Sequence, residues 1–277
     1  VISRAAILAG VIGWPVSHSR SPLLHNAWLA RYGIDGAYVP LAVAPEDFPI
    51  AVHGLRAAGF RGANVTIPHK EAAFALCARL DESAARAGAV NTLVFGPGGV
   101  HGSNTDGAGF LANLRAHAVD PGAGPALLLG AGGAARAIAA ALLAEGVHVT
   151  VTNRDPGRAA ALADALPGLR HVPWAMRSAA LADHALLVNT TPAGMDHAPA
   201  LAIDLAAAPD AMAVADIVYV PLATPLLRAA QARGLRGVGG LGMLLHQAVP
   251  GFAAWYGVTP VVDDEITALL AADLPAT

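Results

Sequence analysis

Lysine is almost missing from this 277-residue chain: Lys70, in the stretch GANVTIPHKEAAF (residues 62–74), is the only one. Every other basic side chain is arginine. A guanidinium stays charged at any pH a protein meets, whereas an ammonium can release a proton when its surroundings lower its pKa. Positive charge alone is served by either residue, but proton chemistry excludes arginine. Lys70 is therefore either a remnant of a composition rich in Ala and Arg or an acid/base. Cysteine is equally scarce. Cys77, in FALCARL, stands alone, which excludes a disulfide framework and fits a reducing cytoplasm. It reads as a small core residue, because no activating base lies near it in sequence. Charged residues make up only 13% and the net charge is −3. No Lys/Arg run offers a phosphate-tracking stripe, so nucleic acid is not an expected partner. No apolar run reaches the length of a membrane span. The opening VISRAAILAGVIGW has the Arg-then-apolar look of a signal peptide, but Trp14-Pro15 follows instead of a small-x-small cleavage site. A buried first strand ending at Gly13 is the better reading. His, Cys, Asp and Glu nowhere take zinc-ligand spacing, so no metal is expected.

What is present is 55% hydrophobic, enough for well-packed cores in about two domains. Strand-length apolar runs alternate with helical patterns, which predicts βαβ units and parallel sheets. AAILAGVIG is a strand and SPLLHNAWLARYG a helix, with Ser21 as N-cap and Pro22 at its first position. AYVPLAV and GANVTIP are strands flanking the helical PEDFPIAVHGLRAAG, and HKEAAFALCARL starts a helix directly after Pro68. Lys70 thus lies where a strand hands over to a helix, the usual place for ligands in open α/β sheets. AVNTLVFGPGGVHGSNTDG predicts a hairpin turning at GPGG. After the Pro/Gly-rich AVDPGAGP a second series opens and closes with helices over 242–256 and 263–273.

LLLGAGGAARAIAAALL puts Gly130, Gly132 and Ala135 in the G-x-G-x-x-G/A pattern, after a strand and opening a helix. The glycines allow a tight turn and close approach of backbone to a pyrophosphate at the helix N-terminus. An NAD site usually ends the next strand with Asp or Glu, which binds the ribose 2′-hydroxyl. Here the strand ends VTVTNRDPGR, with Asn153 at that position, then Arg154, and Arg158 one turn further. Two guanidinium groups without the carboxylate suit a 2′-phosphate, so NADP is expected and NAD is the weaker alternative. Asp155 either tolerates a hydroxyl or pairs with Arg158.

In order along the chain, VIGWPVSHSRSPLLHN, GANVTIPHK, GAVNTL, SNTDGAGF, GAGGAARA, NRDPGRA, DIVYVPLATPLL and GLGMLLHQA resemble the shikimate dehydrogenase family nearly end to end. The resemblance implies reversible hydride transfer between NADPH and 3-dehydroshikimate, giving shikimate for aromatic amino-acid biosynthesis. It implies that Lys70 and Asp106 are the catalytic pair. Ser19 and Ser21 would bind the substrate carboxylate with Thr66 and Tyr219 nearby, and Asn91, Asp106 and Gln247 the ring hydroxyls. On the cofactor side it points to Gly130, Ala131, Gly132, Gly133, Ala134, Asn153, Arg154 and Arg158, with Ile217 and Gly240 by the nicotinamide. The chemistry agrees independently: hydride reduction of a ketone creates an alkoxide, which needs a proton donor such as lysine.

The expected fold is α/β with two domains. Residues 1–105 together with 241–277 form a mainly parallel substrate-binding domain, and 106–240 a Rossmann-type domain. The active site is expected in the cleft between them, in a cytoplasmic monomer or homodimer. Three rivals stay open. One is a quinate/shikimate dehydrogenase using NAD, and another a catalytically silent dinucleotide sensor, against which the retention of both Lys70 and Asp106 argues. The third, and weaker, is a folate-linked dehydrogenase of similar two-domain plan, whose substrate would not call for the Ser19/Ser21 pair.

Overall fold

The computed structural model describes residues 2–196 and 198–274. They divide into two compact units: one runs to Thr105 and takes in Gln247–Leu270, and the other is built on Asp106–His246.

The first unit carries β1 (Ile7–Gly13), α1 (Ser21–Arg31), β2 (Gly36–Ala42), α2 (Phe48–Ala57), β3 (Gly62–Val65), α3 (Lys70–Leu76), β4 (Arg79–Leu80), α4 (Glu82–Ala87), β5 (Thr92–Gly96) and β6 (Gly99–Ser103). Its sheet order is β2-β1-β3-β5-β6-β4. β1 runs parallel to β2 and β3, while β5 is antiparallel to β3 and β6. The hairpin closes with Gly96 opposite Gly99, and Gly99 holds φ at +107°, a conformation that favours glycine. Ile12, Phe48, Val52, Val65 and Leu93 pack as its core. Two differences from the sequence reading concern ends. The helix expected over HKEAAFALCARL stops at Leu76, because Arg79–Leu80 peel off to pair with β6. Ser21 is not the N-cap of α1; Arg20 is, with no side-chain cap bond, and Ser21 is the first helical residue.

The second unit carries α5 (Asp106–Ala116), β7 (Ala126–Leu129), α6 (Gly133–Ala144), β8 (Val149–Thr152), α7 (Pro156–Ala165), β9 (Arg170–His171), β10 (Leu186–Asn189), β11 (Ala213–Asp216), α8 (Pro225–Ala232) and β12 (Arg236–Val238). Its sheet is wholly parallel in the order β12-β11-β10-β7-β8-β9, the doubly wound arrangement that binds dinucleotides at its central crossover. Alternation along β7 shows why the run ALLL is apolar throughout. Ala126 and Leu128 enter one core cluster, and Leu127 and Leu129 another, as a sheet covered on both faces requires. Helices α9 (Leu241–Tyr256) and α10 (Asp264–Ala272) complete the chain. The C-terminal half of α9 locks onto the first sheet: Trp255 Nε1 donates to the Leu93 carbonyl at 2.9 Å, and Tyr256 Oη to that of Ala37 at 3.1 Å. A Cβ at Gly62 would come within 2.2 Å of Trp255 Nε1, so this docking depends on glycine there.

Candidate active site

In the first unit Lys70 opens α3. Its carbonyl accepts from the Val90 N–H at 2.9 Å, which ties the helix start to the segment before β5. An ammonium in the first turn forgoes the favourable dipole interaction available at a helix C-terminus, so the position needs another explanation than helix stability. Thr66 lies just past β3, its N–H donating to the Ile12 carbonyl at 2.9 Å. Ser19 Oγ accepts from the Ser21 N–H at 3.4 Å. Asn91 and Gln247 meet, Asn91 Nδ2 lying 3.5 Å from Gln247 Oε1. Tyr38 joins the same group of residues: its hydroxyl donates to Asn64 Oδ1 at 2.6 Å.

In the second unit Asp106 is the first residue of α5 and is buried. A Cβ on the next residue, Gly107, would lie 2.6 Å from the Ala137 carbonyl oxygen, so the DG pair of the SNTDGAGF motif lets α5 cross α6 closely. Gly130 follows β7 with φ +109°, and a Cβ there would meet Thr190 Oγ1 at 2.6 Å. Gly132 caps α6 without any side-chain bond. Gly132 and Gly133 are exposed, with open space where a Cβ would stand; Ala131 and Ala134 flank them, half-buried. An uncapped N-terminus of a 12-residue helix behind bare glycines suits an anionic pyrophosphate.

The end of β8 is resolved by Asp155. Its Oδ1 accepts from the Gly157 N–H at 2.9 Å and the Arg158 N–H at 3.4 Å, so it is the N-cap of α7 and does not pair with the Arg158 guanidinium. Asn153 Nδ2 donates to the Asp155 carbonyl at 3.0 Å. Arg154 and Arg158 are exposed. The donor set therefore fits a 2′-phosphate, and the one nearby carboxylate is engaged in capping.

Ile217 and Tyr219 lie just beyond β11, which stops at Asp216. Asp216 holds that segment. Its Oδ2 accepts from Thr224 Oγ1 at 2.7 Å, and its Oδ1 from Asn189 Nδ2 at 2.9 Å and the Val218 N–H at 3.1 Å. Burial raises its pKa, against these hydrogen bonds, which lower it. Gly240 belongs to the same corner: a Cβ there would lie 2.2 Å from the Ile217 carbonyl oxygen. The two residues expected beside the nicotinamide are thus brought together.

The family model described as the shikimate dehydrogenase substrate binding domain matches residues 11–93, and that described as shikimate / quinate 5-dehydrogenase matches 122–217. A shikimate dehydrogenase (NADP(+)) of Acidiphilium cryptum is 69% identical over 99% of both chains. The chain belongs to the shikimate dehydrogenase family. Among solved structures of this family, shikimate 5-dehydrogenase of Thermus thermophilus in complex with NADP(H) and shikimate is 41% identical, with a TM-score of 0.87 over 96% of this chain and 98% of that one. Quinate dehydrogenase of Corynebacterium glutamicum in complex with NAD is 31% identical, with a TM-score of 0.89 over 96% and 99%.

Several residues around this family's motifs went unnoticed in the sequence. Asp216 had a signal, a carboxylate inside the apolar run AVADIV. Asn64 had the same kind of signal inside β3. Tyr38 and Thr92 had none, being ordinary strand residues. His25, beside the SRSP motif, is fully buried, and its ring stacks on Tyr38 at 4.0 Å and 3°. Neither ring nitrogen finds a partner among the described residues, and burial lowers its pKa to about 3. Below the unfolded value of 6.5 the unfolded chain binds a proton that the native imidazole refuses, so stability is lost as pH falls from 6.5 toward 3. Between pH 7 and 4.5 this single group is expected to cost the native state about 2–3 kcal/mol. Urea unfolding at the two pH values should show that much less acid sensitivity in His25→Phe than in the parent. An unchanged difference would mean that His25 titrates normally.

Proposed function

We propose that this protein catalyses the reversible NADPH-dependent reduction of 3-dehydroshikimate to shikimate as a step of aromatic amino-acid biosynthesis. The observation that carries the cofactor choice is the end of β8, where Asp155 is consumed as a helix cap and Arg154 and Arg158 stay exposed. Shikimate comes from the family. NADPH, when bound, supplies the hydride, and one proton completes the balance: ketone plus hydride plus proton gives the alcohol.

Lys70 delivers that proton to the carbonyl oxygen as charge develops on it and takes it back in the reverse direction. Asp106 acts with it, stabilising the ammonium and accepting from a ring hydroxyl. Ser19 and Ser21 hold the carboxylate, with Thr66 and Tyr219 beside them, and Asn91 and Gln247 hold ring hydroxyls. A carboxylate accepts several hydrogen bonds at once, so this end fixes the substrate while the hydroxyl end sets the ketone against Lys70. Gly130 to Ala134 bind the pyrophosphate through backbone N–H groups, Asn153, Arg154 and Arg158 the adenosine side, and Ile217 and Gly240 border the nicotinamide. Mixing the purified protein with NADPH and 3-dehydroshikimate should consume NADPH and yield shikimate, identified by chromatography. NADPH consumption without shikimate would refute the reading.

Ser19→Ala tests the carboxylate site. The loss of one hydrogen bond to a charged group, roughly 1.5–3 kcal/mol, should raise the KM for shikimate by about tenfold or more. The KM for NADP should stay near native and the thermal stability should fall little, because the bond Ser19 Oγ accepts at the start of α1, from the Ser21 N–H, is long at 3.4 Å. A native KM for shikimate in this variant would move the carboxylate to Thr66 and Tyr219.

A further inference from the structure

A chain of buried polar side chains joins Tyr38 to Gln247 within the first unit, and its direction can be worked out atom by atom. The Gln247 carbonyl can only accept, so Thr105 Oγ1, 2.8 Å away, donates to it. Thr105 Oγ1 in turn accepts from Asn91 Nδ2 at 3.0 Å. The orientation of that amide is fixed independently by the Thr105 N–H, which donates to Asn91 Oδ1 at 2.9 Å. Thr92 Oγ1, 3.0 Å from the same Oδ1, must therefore donate to it. Its own lone pair accepts from Asn64 Nδ2 at 3.2 Å. The Asn64 amide is also anchored by backbone, since Nδ2 donates to the Asn91 carbonyl at 3.1 Å. Asn64 Oδ1 thus faces Tyr38, whose hydroxyl donates to it at 2.6 Å.

All the side chains from Tyr38 to Thr105 are buried. Two backbone groups, the Thr105 N–H and the Asn91 carbonyl, prevent either amide from flipping. A flipped amide would set donor against donor in a dry site, a cost that buried polar groups avoid. The ring of Tyr38 is itself clamped by the stacked His25, so the hydroxyl cannot swing away from Asn64 without disturbing the aromatic cluster.

We infer that Tyr38 and Thr92 are positioning residues for the substrate site, holding the Asn91 amide in one orientation without themselves touching substrate. This rests on the reading that Asn91 and Gln247 bind shikimate. Thr92 locks Asn91 from behind: its hydroxyl satisfies Oδ1, so Nδ2 is the end turned toward Gln247 Oε1. Tyr38 acts at the far end of the chain, where its hydroxyl holds the Asn64 amide that donates to Thr92.

The test is steady-state kinetics on Thr92→Val, Thr92→Ser, Tyr38→Phe and Asn91→Ala, with the melting temperature of each. Valine keeps the shape of Thr92 and removes its hydroxyl, while serine keeps the hydroxyl. Thr92→Val and Tyr38→Phe are expected to raise the KM for shikimate about tenfold, the scale of one buried hydrogen bond. Their KM for NADP should be unchanged and their kcat lowered less than the KM is raised. Thr92→Ser should return the KM to near native even if it melts lower than the parent. Asn91→Ala should raise the KM at least as much as either. If Asn91→Ala raises the KM while Thr92→Val and Tyr38→Phe only lower the melting temperature, the chain is structural and the inference is wrong. If Asn91→Ala leaves the KM native, the substrate role of Asn91 falls, and the inference with it.

Discussion

Lys70→Arg is expected to lower kcat by about a hundredfold or more while leaving the KM for NADP near native. Positive charge is retained, so any electrostatic hold on the substrate survives; what disappears is a group able to give up its proton at neutral pH. General acid/base catalysis is worth about 10²–10⁴-fold, and the variant should lose most of it in both reaction directions. The start of α3 should tolerate the exchange, because Lys70 contributes its carbonyl, not its side chain, to the bond with Val90. Paired stopped-flow and steady-state measurements on the variant would check it. Turnover within a few-fold of native would remove Lys70 from the mechanism and return the lone lysine to an accident of composition.

The second large effect is expected on cofactor choice. Changing Arg154 and Arg158 together to Ala removes two charge-assisted contacts, each worth roughly 1.5–3 kcal/mol. The kcat/KM with NADP should fall by roughly 10²- to 10⁴-fold, the lower end applying to side chains as exposed as these. With NAD it should change little, since there is no 2′-phosphate to lose. Asp155 keeps its capping bonds to backbone N–H groups at positions 157 and 158 in the double variant, so α7 should stay intact. Equal losses with both cofactors would place the arginines on the shared part of the dinucleotide.

Much of the fold was legible because its signals are local. ALLL followed by GAGGAARA reads as strand, turn and helix from composition alone, and β7 and α6 lie where that reading puts them. The hairpin through GPGG is equally local. What escaped was set by distant partners. Arg79–Leu80 is a strand only because β6 lies beside it, and no periodicity exists in two residues. Ser21 carried the residue type of an N-cap, but Arg20 takes the cap position and Ser21 is the first helical residue. Asp155 was ambiguous in sequence because a carboxylate three residues past a strand can bind a ribose, a guanidinium or a helix N-terminus. Only the backbone geometry of α7 chooses among them.

The site was legible in a different way. Lys70 stood out by scarcity and the glycines by spacing, both of which survive without knowledge of the fold. The buried chain from Tyr38 to Thr105 has no such mark. Each of its residues is common in strands and loops, and their meaning arises only when β2, β1, β3 and β5 are laid side by side.

The central claim is that the pocket takes shikimate and the dinucleotide site takes NADP. The most direct measurement is kcat/KM for shikimate and for quinate, each with NADP and with NAD, on the purified protein. Shikimate with NADP should give the highest value of the four, and exchanging either partner should lower it. A highest value for quinate with NAD would contradict both halves of the claim.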